Sequence, residues 1–334
     1  VPSWLGGSWL LHALDDKRDA PAAYLVANAM LTALPCMLGL FICQCNNHWV
    51  GAAYLVLNYA LYLQRFMLTL HVTEHRRLFK REYGALNLVV PYLLCPLYGV
   101  PCGLYRPHHV VMHHVEDNRQ SGDISSTEPY QRDNFIHFLL YWCRYWVGAW
   151  FELPAYSIKR RRFSLLGATV TSEALYWVAV AGLWQLNRVA TLWSLVIPFL
   201  LSSFLLMFGN WSQHIFVDPD DPRNPYKHTY NCLACPDNCR TYNDGYHVIH
   251  HLNSRLHWSE MPQQLLDTLE QHDANDALAF RQLGFFDVGL NVFLGRLDFL
   301  ARHIVPCGPK QAARTQQEWV QLLKRRLQPI HTKR

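Results

Sequence analysis

Gly245–Tyr246–His247–Val248–Ile249–His250–His251 packs three histidines into five residues. On a helix, residues 247 and 251 stand one turn apart and 250 lies beside them, so all three imidazoles are expected to point the same way. A solvated surface gives no reason to gather imidazoles so densely, whereas a metal site does. The interval recurs upstream. His71 and His75 are four apart, His109 and His113 are four apart with His114 adjoining, and Asn210 and His214 repeat the spacing.

Around these groups the 334 residues segregate by polarity, although mean hydropathy is near zero. Tyr24 to Cys43 is uncharged, and about 20 residues of helix cover roughly 30 Å, the thickness of a hydrocarbon core. Trp49 to Leu70 is broken only by Gln64 and Arg65 near its far end, where an Arg can snorkel. Leu165 to Leu186 is a third apolar run, interrupted by Glu173. Val189 to Gln213 is the clearest, with Pro198 as an expected kink and Asn187–Arg188 as the turn before it. The fold class read from this pattern is an all-α integral membrane protein. It has two transmembrane helical hairpins, with four spans at about 24–43, 49–70, 165–186 and 189–213, and a helical cap carrying the histidines. The expected division is a membrane domain over 1–262 and an amphipathic, basic C-terminal segment over 263–334.

The segments between the spans read as surface. Trp4 and Trp9 suit the interfacial belt. Pro91, Pro96 and Pro101 interrupt Leu86 to Tyr105 every five residues, which predicts a broken segment. Glu116 to Asp133 reads as a polar loop. Phe135 to Tyr156 and Phe285 to Leu300 read as helices lying on the membrane surface. Arg76, Arg77, Lys80 and Arg81, with Lys159 to Arg162, flank the spans on one side, while the turns 44–48 and 187–188 hold one Arg between them. Cationic loops face the cytosol. Two hairpins then place both termini and every histidine group on the cytosolic side. The ten cysteines form no regular framework, and several lie inside apolar runs, so they read as reduced thiols. The first twenty residues lack the pattern of a cleaved signal peptide, and a start at Val1 without Met suggests a longer natural N-terminus.

Neutral imidazole binds Fe, Zn, Cu and Ni. Zinc takes four ligands, and a catalytic zinc keeps one position for water. Nine histidines and an asparagine exceed one ion and fit two, each with four or five nitrogens and room for oxygen. A buried cluster without metal is costly, because each unpaired polar group costs on the order of 1–3 kcal/mol. A lone HxxxH pair is as readily chance or packing; three groups in order, each at a span end, are not. Among the remaining histidines, His12, His48, His272, His303 and His331 read as solvated and His137 and His228 as structural. His257 could orient a ligand.

HxxxH at 71–75, HxxxHH at 109–114 and HxxHH at 247–251, with two apolar spans between the second and third groups, resemble the membrane fatty acid desaturase superfamily over roughly residues 24–262. Gly-Tyr-His-x-x-His-His is specific to it, and Asn210-x-x-x-His214 adds weight. The resemblance implies two iron ions, held by histidines on a cytosolic cap. With dioxygen and two electrons they remove two hydrogens from an unactivated acyl chain. It implies His71, His75, His109, His113, His114, His214, His247, His250 and His251 as iron ligands and catalytic residues, with Asn210 binding iron through a water. Glu74, Glu116, Asp117 and Asp244 are acids that could fix the ligand rings. The second box has one residue more than many desaturases, so His108 and His109 both stand as its first ligand, helical spacing favouring His109. The third box begins with His247 rather than Gln, unlike front-end desaturases. No His-Pro-Gly-Gly haem motif appears, which implies a separate electron donor of cytochrome b5 or ferredoxin type.

The expected partners are thus a lipid acyl substrate, the membrane, expected to be that of the endoplasmic reticulum, and that donor, with no nucleic acid. A hydroxylase of an acyl chain or sterol uses the same iron chemistry, and box spacing does not separate it from a desaturase. A non-enzymatic metal carrier predicts polar ligands in mid-span, and here they stand at span ends. A zinc hydrolase is a further alternative. Cys232-x-x-Cys235-x-x-x-Cys239 has the spacing of a small zinc clip with no obvious fourth ligand. Glu173 would face a tunnel or another helix.

Overall fold

The computed structural model describes residues 7–330, so Trp4 and His331 lie outside the described residues. The chain is mostly helical, with one two-stranded parallel sheet. It separates into two compact units, Val1–Val110 with Leu153–Phe204, and Val111–Glu152 with Leu205–Arg334.

The first unit carries the N-terminal apolar helices. Asp16 accepts the Arg18 amide at 2.9 Å and opens the apolar stretch Lys17–Ile42. This stretch is interrupted only at Thr32, whose hydroxyl turns back onto the Asn28 carbonyl. Among the described residues, three helices are long and apolar enough to cross a membrane, namely Lys17–Ile42, Phe163–Leu186 and Arg188–Gln213, the last passing into the second unit. The expected second span is not among them. Its stretch is continuous, with His48–Asn58 running through a π-helical turn, Tyr59–Leu63, into Gln64–His75. Asn58, Gln64, Arg65 and the tyrosines at 54, 59 and 62 dilute its apolar character. The Arg65 guanidinium folds back onto the Leu61 carbonyl at 2.9 Å. Upstream of Pro198 the helix widens into another π turn, Leu192–Val196, which accommodates the missing backbone donor. Residues 81–98 form the broken series that the prolines predict, Arg81–Leu88, Val89–Leu94 and Cys95–Tyr98. It closes on Gly99 at φ +71°, where a side chain would meet the Pro198 backbone.

In the second unit, Asn134 caps Phe135–Trp150 through the Ile136 amide at 2.8 Å. This helix buries Phe138 and Tyr141 and exposes Ile136, Leu140 and Val147. The stretch before it is not the exposed loop its polarity suggests. Asp123, Ser125, Ser126, Thr127, Glu128 and Arg132 are all buried. They can be buried because they bond one another and the backbone. Asn118 Oδ1 accepts the Thr127 amide at 2.8 Å. The Arg132 guanidinium donates to the carbonyls of Ile215, Thr127, Glu128, Arg326 and Gln328.

Strands β1 (Tyr230–Leu233) and β2 (Leu278–Arg281) pair in parallel, with Tyr230 opposite Leu278 and Leu233 opposite Arg281. They are the departure from an all-α reading. The membrane-surface helix expected over 285–300 is two short helices, Phe285–Phe293 and Leu297–Arg302, parted at Gly295 with φ +68°. Phe286 and Leu290 stand exposed on the first. His272, expected in solvent, is buried and donates from Nδ1 to the Thr268 carbonyl at 2.8 Å.

Candidate metal centre

In the first unit, His71 and His75 sit one turn apart at the C-terminal end of Gln64–His75. His109 belongs to a π-helical stretch, Pro107–His113. The three rings form a triangle with centroids 4.5 Å (71–109), 5.2 Å (71–75) and 5.2 Å (75–109) apart. His75 Nε2 and His109 Nε2 are 3.2 Å apart. Two nitrogens each about 2.1 Å from one ion and at right angles are separated by about 3 Å, so this spacing fits two ligands of one metal. His108 is buried but is not in the triangle; His109 is. Glu74, expected to fix a ring, is engaged with Arg106 at 3.5 Å, and burial raises its carboxyl despite that cation.

In the second unit the rings of His113, His214 and His251 bring ligand nitrogens within 4.8 Å of one another. Their tautomers follow from their partners. His113 Nδ1 lies 2.7 Å from Asp123 Oδ2, and a carboxylate only accepts, so Nδ1 carries a proton and Nε2 is the nitrogen left to face a metal. Ser125 donates through both its amide and hydroxyl to Asp123 Oδ1 and holds the carboxylate in place. His214 Nδ1 donates to the His228 carbonyl at 2.9 Å, leaving Nε2 buried without a hydrogen-bond partner. Both ring nitrogens of His247 and His251 are likewise buried and unpartnered. Burial, reinforced by neighbouring histidines, holds His214 and His251 well below the ordinary imidazole range, so their lone pairs stay available at neutral pH. Such a set of orphaned ring nitrogens is what a metal ion would satisfy.

The third box rises from the sheet. Gly245 accepts the Cys232 amide of β1 and leaves room for the Asn238 side chain and the Cys232 carbonyl, which a β-carbon would strike. The helix His247–Leu252 follows. Its rings do not all point the same way, as the spacing alone suggests. His251 faces His113 and His214, while His250 turns to His114, Nε2 to Nε2 at 3.0 Å. His247 meets His251 edge-on, with ring centroids 4.9 Å apart. The second box divides as well. Its π-helical turn carries His109 into the first-unit triangle and His113 into the second-unit group.

Asn210 uses its amide nitrogen on the Ser125 carbonyl at 3.0 Å and the Tyr141 hydroxyl at 2.7 Å. Asp244 Oδ1 lies 3.6 Å from His247 Nδ1, and Asp117 Oδ1 lies 3.7 Å from His251 Nδ1, both beyond hydrogen-bond reach. Glu116 is buried beside Gly122. His257 caps the turn at Trp258–Glu260 through the Ser259 amide. Among the described residues Cys232, Cys235 and Cys239 join no group of three clustered ligand atoms, so the zinc clip does not form.

Sequence reasoning missed two residues. Asp123 sits ten residues past His113 in a stretch read as solvated loop, and nothing in its local pattern marks it. His228, read as structural, is buried, lowered to about 3 by that burial, and has no hydrogen-bond partner on either ring nitrogen.

No curated protein and no solved structure matches the chain. A family model described as Fatty acid desaturase matches residues 47–278, which take in every histidine group described above. With that match over more than half its length, the chain belongs to the fatty acid desaturase family.

Proposed function

We propose that this protein removes two hydrogens from a lipid-linked fatty acyl chain, using dioxygen and two electrons at a pair of histidine-held iron ions. The observation that carries the reading is the set of buried imidazole nitrogens without hydrogen-bond partners on His214, His247 and His251 in a chain of this family. In the proposal His71, His75 and His109 hold one ion and His113, His214 and His251 the other. His114, His247 and His250 complete the set, and Asn210 holds a water. The bound irons supply the activation of dioxygen that an unactivated C–H bond requires. The chain's own part is positional. Asp123 and the His228 carbonyl fix two rings in the tautomer that presents Nε2, and burial keeps water and protons from the lone pairs.

The same proposal places the protein in the endoplasmic reticulum membrane, with residues 49–70 as the second of four spans and both termini and all boxes in the cytosol. There a separate donor of cytochrome b5 or ferredoxin type delivers electrons. Expression in a desaturase-poor host followed by lipid mass spectrometry tests it. The expected product has lost two hydrogens. A product that has instead gained one oxygen identifies a hydroxylase, and unchanged lipids with fully loaded iron defeat both. His250→Ala is expected to abolish product while the protein still inserts into membranes. Undiminished product from that variant removes His250 from the ligand set.

A further inference from the structure

Given the two-iron reading of the histidines, we propose that the C-terminal tail, residues 326–330, is a positioning element of the second-unit metal site. It acts through the buried segment 123–132. That short segment meets three of the expected metal residues. Asp123 Oδ2 lies 2.7 Å from His113 Nδ1. The Ser125 carbonyl accepts the Asn210 amide at 3.0 Å, and the Thr127 hydroxyl donates to the His214 carbonyl at 2.7 Å. The segment therefore ties the second histidine box to the Asn210–His214 pair.

It has no ladder of its own to hold it in shape. Residues 117–134 are turns and loop, with neither helix nor strand. Buried backbone groups must then find partners elsewhere, and the tail supplies them. The Arg132 amide donates to the Leu327 carbonyl at 3.0 Å. Arg132 Nη2 donates to the carbonyls of Arg326 at 2.8 Å and Gln328 at 2.6 Å. In return the Ile330 amide donates to the Glu128 carbonyl at 2.7 Å. The tail is itself anchored. Thr315 and Glu318 form a capping box on the helix Gln316–Arg326, which buries Trp319, Val320 and Leu323. At the end of that helix the fully buried Arg326 donates to Asp218 at 3.2 Å, four residues past His214. The tail thus grips both the segment behind His113 and the chain that leaves His214. None of these bonds reaches a ring. They fix where the supports of the rings stand, and metal sites are sensitive to such outer partners.

The test uses full-length protein purified in detergent and loaded anaerobically with ferrous iron. Ile330→Pro deletes the N–H given to Glu128, and Ile330→Val keeps it. Arg132→Lys cannot reach both tail carbonyls from its single nitrogen. Iron per chain, release to a chelator and the thermal midpoint of the iron-free protein are read for each. Wild type and Ile330→Val are expected to hold two irons with equal retention. Ile330→Pro and Arg132→Lys should each release one iron about 10–100-fold more readily, the scale of a perturbed outer shell. Double variants identify that iron, because effects at one site do not add. Combined with His214→Ala, Ile330→Pro should leave the release of the remaining iron unchanged. Combined with His71→Ala, it should speed release of the remaining iron by the factor seen alone. Wild-type retention in Ile330→Pro and Arg132→Lys would overturn the proposal and leave the two-iron reading intact. So would release of both irons alike, in step with a lower iron-free midpoint, which marks general destabilisation. Wild-type protein that binds no iron would overturn both. If Ile330→Pro does not fold, Arg132→Lys decides by the same readouts.

Discussion

Asp123 shows how much of a ligand's behaviour is set one bond away from it. With its carboxylate 2.7 Å from His113 Nδ1 and itself pinned by Ser125, the ring can present only Nε2. Asp123→Ala removes the 2.7 Å acceptor of a buried N–H, leaves the Ser125 hydroxyl at 3.3 Å, and loosens the hold on the ring. Iron retention is expected to fall about 10–100-fold, with Asp123→Asn recovering part of it, since an amide oxygen still accepts from Nδ1. Chelator competition measures both, and unchanged retention in the alanine variant would reduce Asp123 to a loop anchor. At this scale the sequence is uneven. Histidines at intervals of four are legible because few other demands produce them. Asp123 and His228 are not, because one loop acid or one isolated histidine looks like any other until the fold brings it to a ring. Glu74, adjacent to His75 in sequence, is the more obvious acid, yet it spends its carboxylate on Arg106.

At the scale of elements, the third box depends on what precedes it. Gly245 lies where the chain leaves β1's neighbourhood and turns into His247–Leu252, and a β-carbon there would strike the Asn238 side chain and the Cys232 carbonyl. Gly245→Ala is expected to cost about 1–3 kcal/mol by overpacking. Because the strain falls between strand and helix, iron loading should suffer more than membrane insertion. A variant with wild-type iron content and melting would show that the helix shifts freely. Apolar helices over 20 residues long and the proline-broken stretch were legible, each resting on a long run or a rigid rule. The four-residue strands were not, since Tyr230–Leu233 and Leu278–Arg281 pair across 44 intervening residues and neither shows an alternation long enough to read. The stretch around Arg132 misled for another reason. Polar composition suggests solvent, but here one guanidinium satisfies five carbonyls in the interior. Arg132→Met orphans those acceptors and should lower the unit's stability by on the order of 3 kcal/mol or more, read as a lower melting temperature. An unchanged melt would mean that water replaces the guanidinium.

For the whole molecule the open question is the number of membrane crossings, and two native thiols can answer it. Three helices qualify by length and composition, while His48–His75 is long but diluted by polar residues. Both of the last two spans lie between the second and third boxes, so three crossings or four leave all the boxes on a common side. What changes is the side of the first turn. If His48–His75 crosses, Cys43 and Cys239, both exposed, lie on opposite faces. If it does not, they share one. The cationic flanks at 76–81 and 159–162 favour a cytosolic face for the boxes, which predicts Cys239 outward in sealed microsomes and Cys43 in the lumen. With all other cysteines replaced by serine, a membrane-impermeant maleimide should therefore modify a Cys239-only protein in sealed vesicles. It should reach a Cys43-only protein only after permeabilisation. Equal modification of both in sealed vesicles would reduce the count to three. Protection of Cys239 would invert the orientation and move the histidines to the lumen, where a cytosolic electron donor could not reach them.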